Sequence, residues 1–387
     1  MPPSTMPVIP MGMPPGAKRR DVAQRVMATE ADQLSKQRVL AALSHRRPDR
    51  IPKCDTFWGE FVTRSRQAHG LGDDVDLMDF YQIDLTVVVP DETPFPSRAE
   101  VLAVDGDDTT HRDGWGRVIR TREGAYFYEP IAPALRTRAE LDSAEFESPL
   151  LDSRYACLDP ANGFDAGRRC YFVKTGGPYL RSSFMRGGEA FLTDIAGDPD
   201  FAAALANRVA DHQIQIGLEG MRRADLYETG VWIYDDMAYN DGPMFSPASF
   251  ERIFLPAYAR MVRAWKSAGA RFVLLHCDGN IEPILDMVLE AGIDGINPVE
   301  PRSGMDLVRL KRRYGDRLAL IGGMCNAVVL PQGPIERIVA RARAIIDAGR
   351  DGGVIIGAHS IGPDIPVEHY DAYHAEVLAS TRDDAVR

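Results

Sequence analysis

The stretch FVLLHCD, residues 272–278, sets His276, Cys277 and Asp278 in a row after an apolar run, and each can bind a metal or move a proton. Side chains of an extended chain alternate faces, so if the strand persists through LLHCD, His276 and Asp278 point one way and Cys277 the other. Such a His-x-Asp pair offers an imidazole nitrogen and a carboxylate oxygen to one point, donor types suited to a catalytic zinc or ferrous ion. His359, in the run GVIIGAH, is the candidate third ligand, leaving an open position for substrate. Asp235 and Asp236 are candidates to complete the shell or act as base; being adjacent, only one of them is expected to face the site. These two, with His276 and Asp278, form the candidate catalytic set. Structural readings stand beside the chemical ones. A histidine at a strand end is commonly a hydrogen-bonded or acid-base residue, and DGN after Cys277 is turn and helix-cap chemistry. Cys277 and Cys325 fit packing roles.

The elements that must position these residues follow from the alternation of β-rich runs with amphipathic segments. The runs are RIPKCDTF, DLTVVVP, CYFVKTG, VWIYDD, RFVLLHCD, DGINPV, RLALIGG and GVIIGAH. Helical spacing lies between most of them, over residues 187–223, 249–267, 281–291, 305–314 and 334–348. Eight strand-helix units predict an α/β fold, a closed (β/α)₈ TIM barrel, whose chemistry sits at the carboxyl ends of the strands. Those ends carry Asp55, then Asp91 and Glu92, then Asp235 and Asp236, His276 and Asp278, Asn297 and Glu300, Gly323, and His359. Asp55, Asp91, Glu92, Asn297, Glu300 and Gly323 are therefore candidate substrate contacts. Tyr239 and Asn240, in MAYNDGPMF, join them as a wall or lid. Gly322-Gly323 and Gly357 occupy a place where barrels can cradle phosphate, a weak signal alone. Alternation around DGDD and REGA predicts β-hairpins inserted after the second strand, at about residues 95–135. Residues 1–20, rich in proline, read as a disordered arm, and 20–45 as one or two helices; residues 21–387 are expected to form a single domain.

Bulk properties exclude some classes. A net charge of -11 argues against an unspecific nucleic-acid binder. Five cysteines without a CxxC pair suggest neither a disulfide framework nor a thiol-only zinc knuckle. No apolar run approaches a membrane span, and the first residues lack a secretory pattern, so a soluble cytoplasmic protein is expected.

The chain resembles the uroporphyrinogen decarboxylase superfamily, which also contains corrinoid-linked methyltransferases. The resemblance is carried by RVLAALSHRRPDRIP, FMRGGEAFLTDIAGDPDF, DDMAYNDGPMFSPASFERIFLPAY, LLHCDGNIEPILD, GINPVEP, LALIGGMCN and GAHSIGPDIPVEHY, between Arg38 and about Leu378. It independently implies the barrel. In the methyltransferase branch a His-x-Cys pair after strand five and a later Cys bind zinc. Here His276 matches the histidine, Asp278 stands at the cysteine position, and His359 falls near the later cysteine. The resemblance thus implies zinc, a small methylated substrate, a corrinoid on a partner protein or a thiol as methyl carrier, and a homodimer. The decarboxylase branch carries an Arg-Gln-Ala-Gly-Arg stretch after strand one, echoed here only by Arg66-Gln67-Ala68. A metal-independent decarboxylase of a polycarboxylate or tetrapyrrole, using Asp55, Asp235 or Asp236 with Lys53, Arg64 and Arg66, is the alternative expectation; a silent corrinoid- or tetrapyrrole-binding barrel is a third.

Overall fold

The computed structural model describes residues 30–125 and 127–380. The arm expected over 1–20 and the start of the helical pattern over 20–29 lie outside the described residues. Among those residues the strands are β1 (Lys53–Phe57), β2 (Leu85–Val88), β3 (Glu100–Asp105), β4 (Asp108–Arg112), β5 (Val118–Arg122), β6 (Glu129–Ala132), β7 (Cys170–Gly176), β8 (Gly230–Tyr234), β9 (Ala238–Tyr239), β10 (Gly242–Pro243), β11 (Phe272–His276), β12 (Gly295–Val299), β13 (Ala319–Gly323) and β14 (Val354–Ile361). Eight form one sheet in the order β1-β14-β13-β12-β11-β8-β7-β2. Every pairing in it is parallel. Each of the eight predicted runs supplies one of these strands, because β-branched and aromatic residues buried on both faces leave the helices to the polar segments between.

The two ends of that order, β1 and β2, are brought together by Asp84. Its amide donates to the Lys53 carbonyl at 2.9 Å, and its carboxylate accepts the Lys53 amide at 2.9 Å. Arg38 at 2.6 Å and Arg50 at 2.8 Å pair with the same buried carboxylate, which removes the cost of an isolated buried charge. The sheet is thereby nearly closed into a TIM barrel. Its interior is filled by side chains of one strand parity, including Leu85, Cys170, Phe172, Trp232, Leu274, Ile321 and Ile355. The N-terminal helix, Glu30–Leu43, adds Val39, Ala42 and Leu43 to this interior cluster and so plugs the end opposite the strand carboxyl termini. A larger core lies between the sheet and the surrounding helices.

The expected hairpins are a separate antiparallel sheet, ordered β3-β4-β5-β6, between β2 and β7. The pattern over 187–223 resolves into two helices, Gly188–Gly197 and Pro199–Ala224. Asp198 accepts the Phe201 amide at 3.1 Å and Pro199 occupies the first position, so a new helix starts where the periodicity runs on unbroken. No helix among the described residues is long and apolar enough to cross a membrane.

Candidate active site

β11 delivers His276, buried at 1 % exposure, to the barrel mouth. Its Nδ1 lies 2.7 Å from Asn297 Oδ1 on the adjacent β12, and Asn297 Nδ2 in turn donates to the Ile321 carbonyl at 3.4 Å. With the amide oriented that way, Asn297 Oδ1 is an acceptor, so Nδ1 of His276 carries the hydrogen and Nε2 presents its lone pair to the cavity. Tyr234 on β8 stacks against the imidazole, with centroids 4.2 Å apart and planes 17° from parallel, fixing the ring's tilt as well.

Asp278 lies just past the strand, yet strand parity persists. Its Oδ1 is 3.7 Å from His276 Nε2 and 3.7 Å from His359 Nδ1. Cys277 points the other way, where its sulfur accepts the Met237 amide at 3.3 Å, and burial pushes its thiol pKa well up. The three donor atoms offered by His276, Asp278 and His359 all lie within 4.8 Å of one another. His276 Nε2 and Asp278 Oδ1 are both buried and have no hydrogen-bond partner. Orphaned polar atoms are uncommon because each forfeits its solvation, so a pair converging on one point fits a bound cation. A nitrogen-oxygen-nitrogen donor set is of the kind zinc or ferrous iron accepts.

The adjacent aspartates part company as strand geometry requires. Asp236 faces the group, with Oδ1 3.7 Å from His276 Nε2 and accepting the Asp278 amide at 3.1 Å. Burial raises its pKa, Asp278 adding to the shift and His276 opposing it. Asp235 turns outward beneath the helix Pro178–Arg186, accepting the amides of Tyr179 at 3.0 Å and Leu180 at 2.5 Å and the Tyr258 hydroxyl at 2.5 Å. It caps that helix and does not join the cavity, although burial lifts its carboxyl to about 6. A Cβ at Gly177 would meet the Asp235 carboxyl at 2.2 Å, so glycine is what lets the cap approach.

The candidate substrate contacts divide. Glu300 sits beside the group: Oε2 accepts the Gly279 amide at 2.8 Å, and burial together with Asp278 raises its pKa. It lines a cleft shared with Cys325, Asn326 and His359. Asn297 acts behind His276. Asn240 accepts the Ser303 hydroxyl at 3.0 Å at the rim, and Tyr239 is half exposed. Others are placed differently from expectation. Asp55 is buried, its carboxylate taken up by the Ala358 amide at 2.6 Å and the Tyr370 hydroxyl at 2.9 Å. Asp91 is bound within its own turn by the amide and hydroxyl of Thr93, at 2.9 and 2.7 Å. A Cβ on Gly323 would strike Leu307 at 2.7 Å, so this residue faces the outer helices rather than the cavity. Glu92 pairs with Arg181 at 2.5 Å and Lys174 at 3.7 Å; burial opposes its ionisation, but these cations outweigh that and lower its pKa.

The basic residues assigned to the alternative decarboxylase are engaged elsewhere. Lys53 is buried against His374 Nδ1 at 2.9 Å, Arg64 donates to the Ile365 carbonyl, and Arg66 to those of Asp73 and Val75. Conversely, Tyr234 and Lys174 were not among the expected site residues. Both are polar-tipped positions of interior parity near strand ends, a signal visible in CYFVKTG and VWIYDD once the inward face is known.

Comparison with known proteins gives a family and a likeness of fold. The family model of uroporphyrinogen decarboxylase (URO-D) matches residues 166–378. The chain is 30% identical over 154 residues to a methylcobamide:CoM methyltransferase, MtaA, of Methanosarcina barkeri, covering 40% of this chain and 41% of that protein. It is 29% identical over 155 residues to the MtaA of Methanosarcina barkeri strain Fusaro, with the same coverage of 40% and 41%. The match thus spans about 41% of the length of these curated relatives. A solved methyltransferase structure from Methanosarcina mazei superimposes with a TM-score of 0.64 at 18% identity, over 89% of this chain and 98% of that one, a likeness of fold.

Proposed function

The chain belongs to the uroporphyrinogen decarboxylase family, and from that premise we propose that it is a metal-assisted methyltransferase acting between a small methylated compound and a corrinoid or thiol acceptor. His276, Asp278 and His359 would hold the metal, with zinc the first choice. Bound there, the ion supplies Lewis acidity and lowers the pKa of a thiol, alcohol or water. The protein's own residues do the rest. Asn297 sets the His276 tautomer, Tyr234 its tilt, and Asp236 is the carboxyl placed to take or return a proton beside them. Glu300 is the second carboxyl at the mouth. The corrinoid would be carried by a separate protein, and methoxylated aromatics or methylamines are the substrate types we favour. Residues 21–387 are taken as one barrel domain.

The observation that carries this reading is the pair of buried, unpartnered donor atoms, His276 Nε2 and Asp278 Oδ1, turned toward His359. Sequence similarity to methylcobamide:CoM methyltransferases supports the choice of reaction. Relative to the thiolate-rich zinc site of the methyltransferase branch it resembles, this donor set is harder and less negative, so zinc can be held there while a bound thiol acceptor is activated less strongly as a nucleophile. The test is elemental analysis of protein purified without added metal, with methylcobalamin demethylation followed in parallel. Stoichiometric metal that is lost in His276→Ala, together with methyl transfer, is expected. Metal-free protein that turns over a polycarboxylate would refute the reading.

A further inference from the structure

The inserted sheet β3-β4-β5-β6 has two unlike faces. Its cross-strand registers set Val101, His111 and Ile119 in one row, and Val104, Thr109 and Thr121 in the next row of the same face. The opposite face carries Arg112, Arg120 and Arg122, and its charges are paired within the sheet: Arg112 with Glu100 at 3.2 Å, Arg120 with Glu129 at 3.0 Å and Arg122 with Asp108 at 2.7 Å. That is a face made for solvent.

The first face is anchored to the barrel at one end only. Arg117, two residues before Ile119, lies over the Phe184 ring at 4.1 Å and donates to the Tyr128 hydroxyl at 2.7 Å, while Trp115 meets Phe184 edge-on. Ile119 is buried beside them. Toward β3 the cover ends. Val101 and Val104 are 65 % and 68 % exposed, and Leu102, the extra residue at the β3 bulge, is 45 % exposed. Of eleven large apolar side chains exposed among the described residues, five lie in this insertion, Phe127 and Ile131 being the other two. Together the five leave on the order of 500 Å² of apolar surface in water, the upper end of what a monomer shows.

Three features select a second copy of this chain as the cover. Apart from His111, the uncovered part of the face has no ionisable side chain, so charge pairing with a foreign partner has nothing to act on there. A surface at a twofold axis meets itself, and an uncharged one does so without repulsion even in a chain of net charge -11. Two such patches brought together remove about 1,000 Å², where specific interfaces begin. Strand addition along the β3 edge is the poorer arrangement: antiparallel self-pairing centred on β3 would set Glu100 against Asp105, and the bulge interrupts the edge. The contact is therefore face to face.

We propose that the insertion sheet is an interface between two copies of this chain, its apolar face packing on itself about a twofold axis through Val101, Leu102 and Val104. The inference stands apart from the methyl-transfer reading, since it uses no residue of the candidate metal group.

Sedimentation velocity of the full-length protein over a dilution series tests it. A dimer is expected, and the double variant Val101→Glu/Val104→Glu should raise its dissociation constant at least about 100-fold, because two charges per copy would have to be buried unpaired. Both side chains are exposed in the single chain, so circular dichroism and thermal melts should match the wild type. Val104→Ser, too mild to unfold the sheet, should weaken the dimer about fivefold, and Arg120→Glu on the solvated face should leave it unchanged. A monomeric wild type, a dimer that survives Val101→Glu/Val104→Glu, or equal weakening by Arg120→Glu would overturn the proposal. So would a dimer lost on removing residues 1–29, which would make that segment the cover.

Discussion

Asp55 and His359 face one another across the β1–β14 pair, and Asp55 Oδ1 accepts the amide of Ala358, the residue just before the histidine, at 2.6 Å. His359 has a φ of +64°, a left-handed conformation uncommon for a residue with a side chain. Thr56 adds a second restraint, donating its hydroxyl to the His359 carbonyl at 2.9 Å. The carboxylate expected to meet substrate instead holds the backbone that aims a candidate ligand.

Asp55→Asn should therefore weaken metal binding without removing a ligand. An amide in place of the carboxylate loses a charge-assisted acceptor, and metal affinity is expected to fall roughly 10- to 100-fold, as for other supporting residues. Competition titration with a chromophoric chelator reads this, and Thr56→Val should show a smaller change in the same direction. Unaltered affinity in both variants would mean that the strand holds His359 unaided.

Asn297→Ala should affect His276 in a different way. With Nδ1 no longer held, the imidazole can put its hydrogen on Nε2, the atom turned to the cavity. A loss of about 10- to 100-fold in metal affinity is expected with little change in thermal stability beyond about 1–2 kcal/mol. Chelator competition and thermal melts together separate this from simple unfolding.

The two adjacent aspartates should behave oppositely. Asp235→Ala strips the helix Pro178–Arg186 of its cap and leaves the buried Tyr258 hydroxyl unpaired, so a loss of about 2–4 kcal/mol is expected in urea unfolding. Asp236→Asn should cost little stability but depress turnover, since this carboxyl faces the cavity. Comparable stability losses in both would contradict the assignment.

A pH effect follows from His212, buried beside Phe146 with Nε2 unpaired. Burial, aided by Arg154, lowers its pKa from 6.5 to about 4. The unfolded chain then binds a proton that the folded protein refuses between those values. Its contribution to stability is complete above about pH 6.5 and is lost as pH falls toward 4, on the order of 3 kcal/mol in all. Urea midpoints at pH 7 and 5 should therefore differ less in His212→Gln than in the wild type; an identical difference would sink the assignment.

The barrel was legible because its information is local. Eight apolar runs separated by amphipathic helices dictate parallel strands wherever they lie in the sequence, and period-two alternation alone placed His276 and Asp278 on one side and Cys277 on the other. The same alternation required that Asp235 and Asp236 diverge, but it could not say which way, since that depends on the helix Pro178–Arg186 presenting free amides to one of them. Asp55 read as a substrate contact for a related reason: a polar residue at a strand end looks the same whether its partner is a ligand or the next strand's backbone. Gly323 likewise faces Leu307 because of how the outer helix packs. Sequence periodicity determined which residues share a face of each strand; only tertiary structure decided what that face meets, because the partners of Asp55, Asp235, Lys174 and His359 come from elements distant in the chain and set by packing.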